Sequence, residues 1–509
     1  MKDSKESSRR SLSGGNQTPK VLRKLGGIDS YLLAMYNLRQ YCGTSVSCRY
    51  MIPPSLAGAG GRQQLKAAVE TAIDGAVLKH TMLQVGIISA ESSKPKWVKL
   101  DKIDRCAHIN WHFLDESTDL ERTLHEVTAS QLDAKFSDLH VRPGWKVDLL
   151  CTENMLELLF TWSHPHADGM SGKIFQQDIL ANLTSSNTSG PFREPDDVLE
   201  FPKSIPVLIP PVEKMMKFPM DFMFVLKTLW FLAKPSVFSN SPYLADWAPI
   251  PRAPYKSQFR MISIRQSILS NILSASRHHN TTLTGLLHAL LLVSLASRVE
   301  EKAARAFTGA TTVDMRRFLP VSPPGYPEFD PDQTMGNFVT VLDHRFRPSL
   351  VSSIRSFMSA RKDDQSLPKA VLELLWSTAT RVRGEIVHKL DIRGRNDKIG
   401  LGKFVSDWQA EMKKIARRPR ETSWEVTGLG VLGDSTNVDL NSQDSGWSLQ
   451  RAQFALSAQT TGAALEISPV SVAGHGLCVG VGWQDCVFDI SFGESVTNDL
   501  ERWLVQIGS

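Results

Sequence analysis

The 509-residue chain lacks several features that would place it in a common class of proteins. Its six cysteines show neither CxxC pairing nor zinc-site spacing, so we expect reduced thiols in a cytoplasmic protein. The formal net charge is only +5, which gives no indication of a nucleic-acid partner. The sequence contains no Walker A loop and no GxSxG elbow, which excludes the P-loop and α/β-hydrolase patterns.

Long hydrophobic runs are also missing. The most apolar stretch, residues 215–233, contains Asp221, Lys227 and a proline, so it is too polar to span a bilayer. We expect it to pack against the protein; the alternatives are peripheral contact with a membrane or a lipid droplet, and a hydrophobic wall for a substrate. Residues 1–20 have no apolar core, which predicts a disordered basic arm and no signal peptide. A cytoplasmic location follows, with peripheral association at the endoplasmic reticulum or a lipid droplet as the alternative.

Strand-like and helix-like segments alternate in two halves of the chain. Apolar residues at helical spacing predict helices over 63–79 and 282–298, whereas residues 145–162 read as a hairpin of buried strands. Residues 190–255 are dense in proline and resemble a long crossover. We therefore predict an α/β protein with two subdomains. The predicted parts are a basic arm at 1–20, an N-terminal subdomain at 21–190, a crossover at 191–255, and a C-terminal subdomain at 256–509.

The densest group of reactive residues is the turn His164-Pro165-His166-Ala167-Asp168-Gly169. It lies between the strand-like run 156–161 and the helix-like run 173–180. Histidine is the natural general base because its unperturbed pKa lies close to neutral pH. Gly169 permits a close backbone approach or an unusual φ angle. We therefore expect His164 to be a catalytic base held in a rigid turn.

Asp168 allows two interpretations. It is a second acid or base, or it holds the turn through an ion pair with an arginine. The second half supplies a partner in Asp314-Met315-Arg316, at the end of a predicted strand. We predict that Arg316 pairs with Asp168 and links the halves; the alternative is that Arg316 and Arg317 are surface charges.

Two further motifs point elsewhere. His164 and His166 form a His-x-His pair that could bind a metal, but no further histidine or carboxylate lies at recognisable ligand spacing. Residues 428–433 match GxGxxG, yet the following Asp434 to Asn437 open no helix, so we do not predict a dinucleotide site.

Taken together, these residues resemble the HxxxDG acyltransferase superfamily, and within it the fungal alcohol acetyltransferases. The resemblance spans roughly residues 21–504, and His164 to Gly169 is its central motif. Ser163 stands where condensation domains of peptide synthetases usually carry a second histidine, and the late Asp-Phe-Gly-Trp-Gly of plant acyltransferases is missing. Weaker matches lie at Arg23 to Gly26, Lys79 to Leu83, Val313 to Arg316, and Met335 to Phe338.

The resemblance implies two chloramphenicol acetyltransferase-like subdomains, with mixed sheets flanked by helices and an active site in a tunnel at their interface. It implies a monomeric enzyme that moves an acyl group, in the simplest case acetyl, from acyl-CoA to the hydroxyl of a small, hydrophobic alcohol or secondary metabolite. His164 is then the base and Asp168 a brace, with Gly169, Asp314 and Arg316 structural at the site.

Acetyl-CoA is a co-substrate in this hypothesis, and neither a permanent cofactor nor a metal is expected. Two alternatives stay open. One is a metal-dependent hydrolase that uses the His-x-His pair, and the other is a non-catalytic scaffold that binds acyl-CoA.

Overall fold

The computed structural model describes residues 20–185, 196–204, 207–233, 241–251, 256–360, 366–433 and 446–509. Nearly all of the predicted basic arm lies outside the described residues, as do Asp434 to Asn437. The strands are β1 (Val21–Lys24), β2 (Gly43–Met51), β3 (Val85–Ile88), β4 (Lys96–Lys99), β5 (Lys102–Asp104), β6 (Ile109–Phe113), β7 (Trp145–Cys151), β8 (Met155–Ser163), β9 (Val198–Glu200), β10 (Ser257–Ile264), β11 (Phe307–Asp314), β12 (Val339–Phe346), β13 (Trp424–Val426), β14 (Gly430–Leu432), β15 (Ser448–Leu456), β16 (Leu465–Val472) and β17 (Leu477–Gln484).

The α-helices are α1 (Gly27–Asn37), α2 (Arg62–Lys79), α3 (Leu120–Leu132), α4 (Gly169–Ser185), α5 (Val212–Met215), α6 (Phe222–Ala233), α7 (Gln266–His278), α8 (Leu283–Arg298), α9 (Pro348–Ser359), α10 (Lys369–Asp391), α11 (Lys398–Leu401), α12 (Trp408–Ile415) and α13 (Ile490–Gly508).

The first sheet carries the strand that leads into the histidine turn. Its strand order is β15-β2-β8-β7-β6. The β7–β8 pair is the hairpin predicted over 145–162. β8 is buried along almost its whole length, and its alternating residues Leu156, Leu158 and Phe160 enter the core that it shares with α2 and α4. A buried central strand therefore delivers His164 to the end of the sheet.

The second sheet has the order β10-β17-β16-β13-β11-β12, and β14 pairs with β16. α8 lies across this sheet and is buried from Gly285 to Ala296, as its continuous apolar sequence requires. The Thr282 hydroxyl caps the helix by accepting a hydrogen bond from the Gly285 N–H at 3.3 Å. Two mixed sheets flanked by helices agree with the α/β class predicted from the sequence.

One strand of the second half completes the sheet of the first half. β15 pairs antiparallel with β2, with Phe454 opposite Val46. The Ser468 hydroxyl on β16 donates to the Phe454 carbonyl at 2.6 Å and so ties the two sheets together. The halves are therefore interlocked, and the subdomain boundaries given above stay a prediction.

The apolar segment at 215–233 departs from the expected packing. Four of its side chains are largely exposed on α6: Phe222 (78%), Met223 (57%), Leu226 (49%) and Trp230 (72%). The prediction that the segment packs against the protein is wrong for these side chains. Within the described ranges, no single helix has the length and apolar character to cross a bilayer; α7 and α8 satisfy that test only as a pair bent by 92°.

Candidate active site

The histidine motif forms a compact turn between β8 and α4. The His166 N–H donates to the Ser163 carbonyl at 3.0 Å, and the Trp162 indole N–H closes the turn on the Ala167 carbonyl at 2.8 Å. At the end of the turn, the Asp168 N–H donates to the Gly336 carbonyl of the second half at 3.1 Å. The turn is thus fixed from both halves of the molecule.

His164 is half-buried beside Tyr41, whose ring lies edge-on at 5.0 Å between centroids. Burial lowers the pKa of His164 below its ordinary value, and its own carbonyl, the Asp168 charge and Asn337 oppose this shift only in part. The imidazole is therefore neutral near pH 7. Its Nδ1 atom is buried, which leaves Nε2 as the nitrogen that a substrate can reach.

Asn337 fixes the backbone that carries His164. Its Nδ2 donates to the carbonyls of both His164 (3.0 Å) and Pro165 (2.9 Å). Sequence reasoning gave Asn337 no role, although it lies within the Met335 to Phe338 match. No local pattern relates position 337 to position 164, because only the packing of the two halves brings them together.

Asp168 and Arg316 form the ion pair that was predicted from the sequence. Arg316 Nη1 and Nη2 lie 2.8 and 3.0 Å from the two carboxylate oxygens, which is a bidentate arrangement. Both side chains are only 1% exposed, so the pair is shielded from solvent. The alternative, in which Arg316 is a surface charge, is therefore wrong.

The remaining lone pairs of Asp168 are also occupied. Its Oδ1 accepts hydrogen bonds from the Ser171 N–H (2.9 Å) and hydroxyl (2.8 Å), and its Oδ2 accepts one from the Phe338 N–H (3.0 Å). Burial raises the pKa of Asp168, but the charge of Arg316 and these hydrogen bonds outweigh it and lower the pKa overall. A fully bonded carboxylate of lowered pKa suits a brace and does not suit a proton donor.

Asp314 supports the same arginine from the end of β11. Its Oδ1 lies 3.1 Å from Arg316 Nη1 and accepts the Arg316 N–H at 3.1 Å. Its side chain is 30% exposed, in contrast to Asp168. Burial raises the pKa of Asp314, an effect that the neighbouring Arg316 counters. Asp314 therefore assists the pair from its solvent side.

Close packing, and not the backbone conformation, requires a glycine at position 169, because the φ angle of Gly169 is not positive. A Cβ atom at this position would lie 2.9 Å from both Leu429 Cδ2 and Phe454 Cζ. Both neighbours belong to the second half. Because glycine has no side chain, the start of α4 can approach β15 and the β13–β14 connection closely.

His166 is a core residue. Its Nδ1 lies 2.8 Å from the Ser163 hydroxyl, its Nε2 accepts the Gly144 N–H at 3.4 Å, and its ring packs edge-on against Trp97. With both ring nitrogens engaged, His166 cannot join His164 as a metal ligand. Among the described residues, no group of three His, Cys, Asp or Glu side chains is arranged to hold a metal ion.

α4 is anchored at its middle, which keeps the turn in place. Asp178 accepts from Lys79 Nζ at 2.6 Å and lies 2.5 Å from His80 Nε2. The Lys79 to Leu83 match therefore has a structural purpose, since it connects the end of α2 to the helix that Asp168 begins.

Comparison with known proteins shows which family the chain resembles. The family model described as "Alcohol acetyltransferase" matches residues 105–345, a range that contains His164, Asp168 and Arg316. Over this range the chain is similar to the alcohol acetyltransferases. Two curated fungal relatives carry the same description, and together these similarities support acyl transfer to an alcohol.

Two relatives match nearly end to end. "Probable alcohol acetyltransferase FCK4" of Fusarium pseudograminearum is 23% identical, over 98% of this chain and 97% of the relative. "Probable alcohol acetyltransferase crmB" of Aspergillus fumigatus is 22% identical, over 94% of this chain and 98% of the relative.

Solved structures confirm the predicted fold. The trichothecene 15-O-acetyltransferase TRI3 of Fusarium sporotrichioides superposes with a TM-score of 0.67 at 14% identity, covering 95% of this chain and 94% of that one. The first condensation domain of the calcium-dependent antibiotic synthetase gives a TM-score of 0.58 at 11% identity, covering 96% of each chain. The chain thus has the two-subdomain, chloramphenicol acetyltransferase-like fold.

Proposed function

We propose that the protein transfers an acetyl group from acetyl-CoA to the hydroxyl of a small alcohol, with His164 as the general base. The observation that carries the proposal is the geometry at His164: a half-buried imidazole in a turn that Asn337 and the Asp168–Arg316 pair hold in place. Positioned general-base catalysis supplies about 10²–10⁴-fold in rate.

In the proposed reaction, His164 Nε2 takes the hydroxyl proton while the alcohol oxygen attacks the thioester carbon. The tetrahedral intermediate then collapses, the carbon–sulfur bond breaks, and the imidazolium returns the proton to the CoA thiolate. The structure supports direct transfer because the nearby Ser163 hydroxyl hydrogen-bonds His166 and not His164. No carboxylate among the described residues forms an ion pair with His164, so the site differs from a Ser-His-Asp triad.

Turnover assays test this proposal directly. The protein is incubated with acetyl-CoA and with longer acyl-CoAs against a panel of alcohols, and the esters are read by mass spectrometry. His164→Ala is expected to lose transfer by about 10²-fold or more while it keeps the wild-type melting temperature. His278→Ala, an exposed histidine on α7, is the matched control and is expected to retain full activity. Near-normal turnover by His164→Ala would refute the assigned role.

The alternatives make different predictions in the same assay. A scaffold would bind acetyl-CoA without ester formation, and a metal hydrolase would lose activity to a chelator. The engagement of both His166 ring nitrogens counts against the second alternative. The hydrophobic nature of the acceptor, the monomeric state and the cytoplasmic location stay predictions.

Peripheral membrane contact is a separate proposal, supported by the exposed apolar side chains of α6. Sedimentation with phosphatidylcholine vesicles tests it. Binding by the wild-type protein should fall in a Leu226→Ser, Trp230→Ser variant, and equal sedimentation of both proteins would contradict it.

A further inference from the structure

Two glutamates lie side by side on the face of the second sheet that is turned toward the first half. Glu425 on β13 and Glu466 on β16 are direct partners in the parallel pairing of these strands, so both side chains lie on one face. Ser468, two residues further along β16, lies on that face too, and its hydroxyl reaches the Phe454 carbonyl of β15 in the first sheet. The acidic pair, Glu425 and Glu466, therefore lies at the interface between the halves.

Glu466 is buried without a hydrogen-bond partner in the part of the chain that the structure describes. The residue is only 2% exposed, and both of its carboxyl oxygens are shielded from solvent. Gln484 on β17 is equally buried, and neither atom of its amide finds a partner within the described ranges. It lies two residues beyond Gly482, which pairs with Glu466, so the amide and the carboxyl group are diagonal neighbours on one face. Because buried polar groups are almost always hydrogen-bonded, these two side chains indicate that a polar molecule binds between them.

Positive charge compensates the acidic pair only in part. Burial raises the pKa of Glu466 well above its ordinary value, and the charge of Glu425 adds to this shift. Arg420 opposes the shift, yet its guanidinium donates to three backbone carbonyls. Glu425 accepts a hydrogen bond from the neutral Thr312 hydroxyl. A cation bound between the two carboxyl groups would therefore stabilise their ionised forms.

Two aromatic rings lie beside the acidic pair. The Tyr31 ring packs edge-on against Trp408, with centroids 5.3 Å apart. Burial raises the pKa of Tyr31 to about 12, and the charges of Glu425 and Glu466 contribute to this rise, which places the phenol near both carboxyl groups. Aromatic faces attract ammonium groups, and carboxylates form strong hydrogen bonds with them. Carboxylates would repel the phosphates of an acyl-CoA, so this wall suits the acceptor and not the donor.

Short stretches of chain connect the acidic pair to the histidine turn. Thr312, which donates to Glu425, lies two residues before Asp314 on the same face of β11. Glu425 is also four residues before Leu429, whose Cδ2 would lie 2.9 Å from a Cβ on Gly169. At about 3.3 Å per residue, the path from Glu425 to Leu429 is about 13 Å. An acceptor whose hydroxyl reaches the turn can thus contact the acidic pair with a second group on the order of 10 Å away.

We propose that Glu425 and Glu466 bind a protonated amine of the acceptor, so that the substrates are amino alcohols. The amide carbonyl of Gln484 accepts a further hydrogen bond from the ammonium group. The inference rests on the proposed function in one respect, namely that the hydroxyl of a small alcohol is acylated. It assigns a more polar acceptor than the hydrophobic alcohol expected from the sequence.

Initial rates with matched acceptors test the assignment. Straight-chain amino alcohols are compared with alkanols of the same chain length, and the esters formed from acetyl-CoA are read by mass spectrometry. At the best chain length, kcat/KM of the wild-type protein should be about tenfold higher for the amino alcohol, since hydrogen bonds to charged groups are the stronger ones. Equal values for the two classes would overturn the proposal.

The variant Glu466→Gln should lose this preference for amino alcohols. It should melt at the wild-type temperature or above, because the carboxyl group has no partner among the described residues and its burial is costly. Glu373→Gln, at an exposed position of α10, is the matched control and should keep the preference. A Glu466→Gln protein that keeps the wild-type preference would contradict the assignment.

Calorimetry without acetyl-CoA separates this inference from the proposed reaction. Amino alcohols of the series should bind the wild-type protein about tenfold more tightly than Glu466→Gln. Glu425→Gln should weaken binding in the same direction, so the test does not depend on one variant. Affinities that match among the three proteins would refute the site. If amine binding depends on the acidic pair but no alcohol is acylated, the site assignment holds and the proposed function fails.

Discussion

Replacement of Asp168 by asparagine tests whether this residue braces the turn or takes part in the chemistry. The carboxylate accepts five hydrogen bonds from three residues, Ser171, Arg316 and Phe338. An asparagine side chain has the same shape, but its NH₂ group is a hydrogen-bond donor. It would face N–H donors at a position where the carboxylate oxygen accepts their hydrogen bonds. The variant also leaves the buried Arg316 charge with only the partly exposed Asp314 as a partner.

The expected loss of stability follows from this geometry. Breaking a buried pair by removing one partner costs about 3–5 kcal/mol. Because the halves are interlocked, the cooperative unit is about 500 residues, and this loss corresponds to a fall of about 3–5 °C in melting temperature. Activity should fall as well, since a displacement of about 1 Å at a catalytic group can cost about 10²-fold in rate.

Thermal melts and turnover of the same preparations provide the assay. Arg316→Gln should reproduce both losses, whereas Asp314→Asn is a control that should cost about 1 kcal/mol or less because its side chain is partly solvated. An Asp168→Asn protein that melts at the wild-type temperature but is inactive would refute the brace, and it would show instead that Asp168 takes part in proton transfer.

Three further outcomes are expected. Gly169→Ala should lower the free energy of unfolding by about 1–3 kcal/mol and remove most of the activity, because the new Cβ would lie 2.9 Å from Leu429 Cδ2. Melting and turnover assays check this cause if a Gly169→Ala, Leu429→Ala protein partly recovers both properties. Burial lowers the pKa of His166 to about 4. The neutral ring therefore contributes fully to the free energy of unfolding above pH 6.5, and about 3 kcal/mol of this contribution is lost as the pH falls toward 4. Melts across this range should show a smaller pH dependence in His166→Gln, and an identical slope would contradict the assignment. Asn337→Leu should lower kcat more than it raises KM, since it releases the backbone of His164 without touching a substrate, and an unchanged kcat would remove its positioning role.

Several elements followed from the sequence because their signals are local. The predicted helix over 63–79 is α2, and the predicted hairpin is β7 and β8. By contrast, no local signal separates β13 from β14, which are two short strands divided by three residues. The helix after the motif begins at Gly169 instead of 173, because the Asp168 carboxylate accepts the Ser171 N–H at its first turn. Neither β12 nor α13 was predicted, and β12 directly follows Asn337 and Phe338, which contact the histidine turn.

By itself, the sequence determined the reactive group, its type of turn and the arginine that pairs with Asp168, because short motifs report the chemistry of adjacent residues. Only the tertiary structure decided which distant groups surround His164 and which surfaces are open. Asn337 contacts a residue 173 positions away, β15 crosses into the first sheet, and α6 exposes its apolar side chains. Such contacts depend on how the two halves pack together, and no periodicity within one segment of the chain encodes that packing.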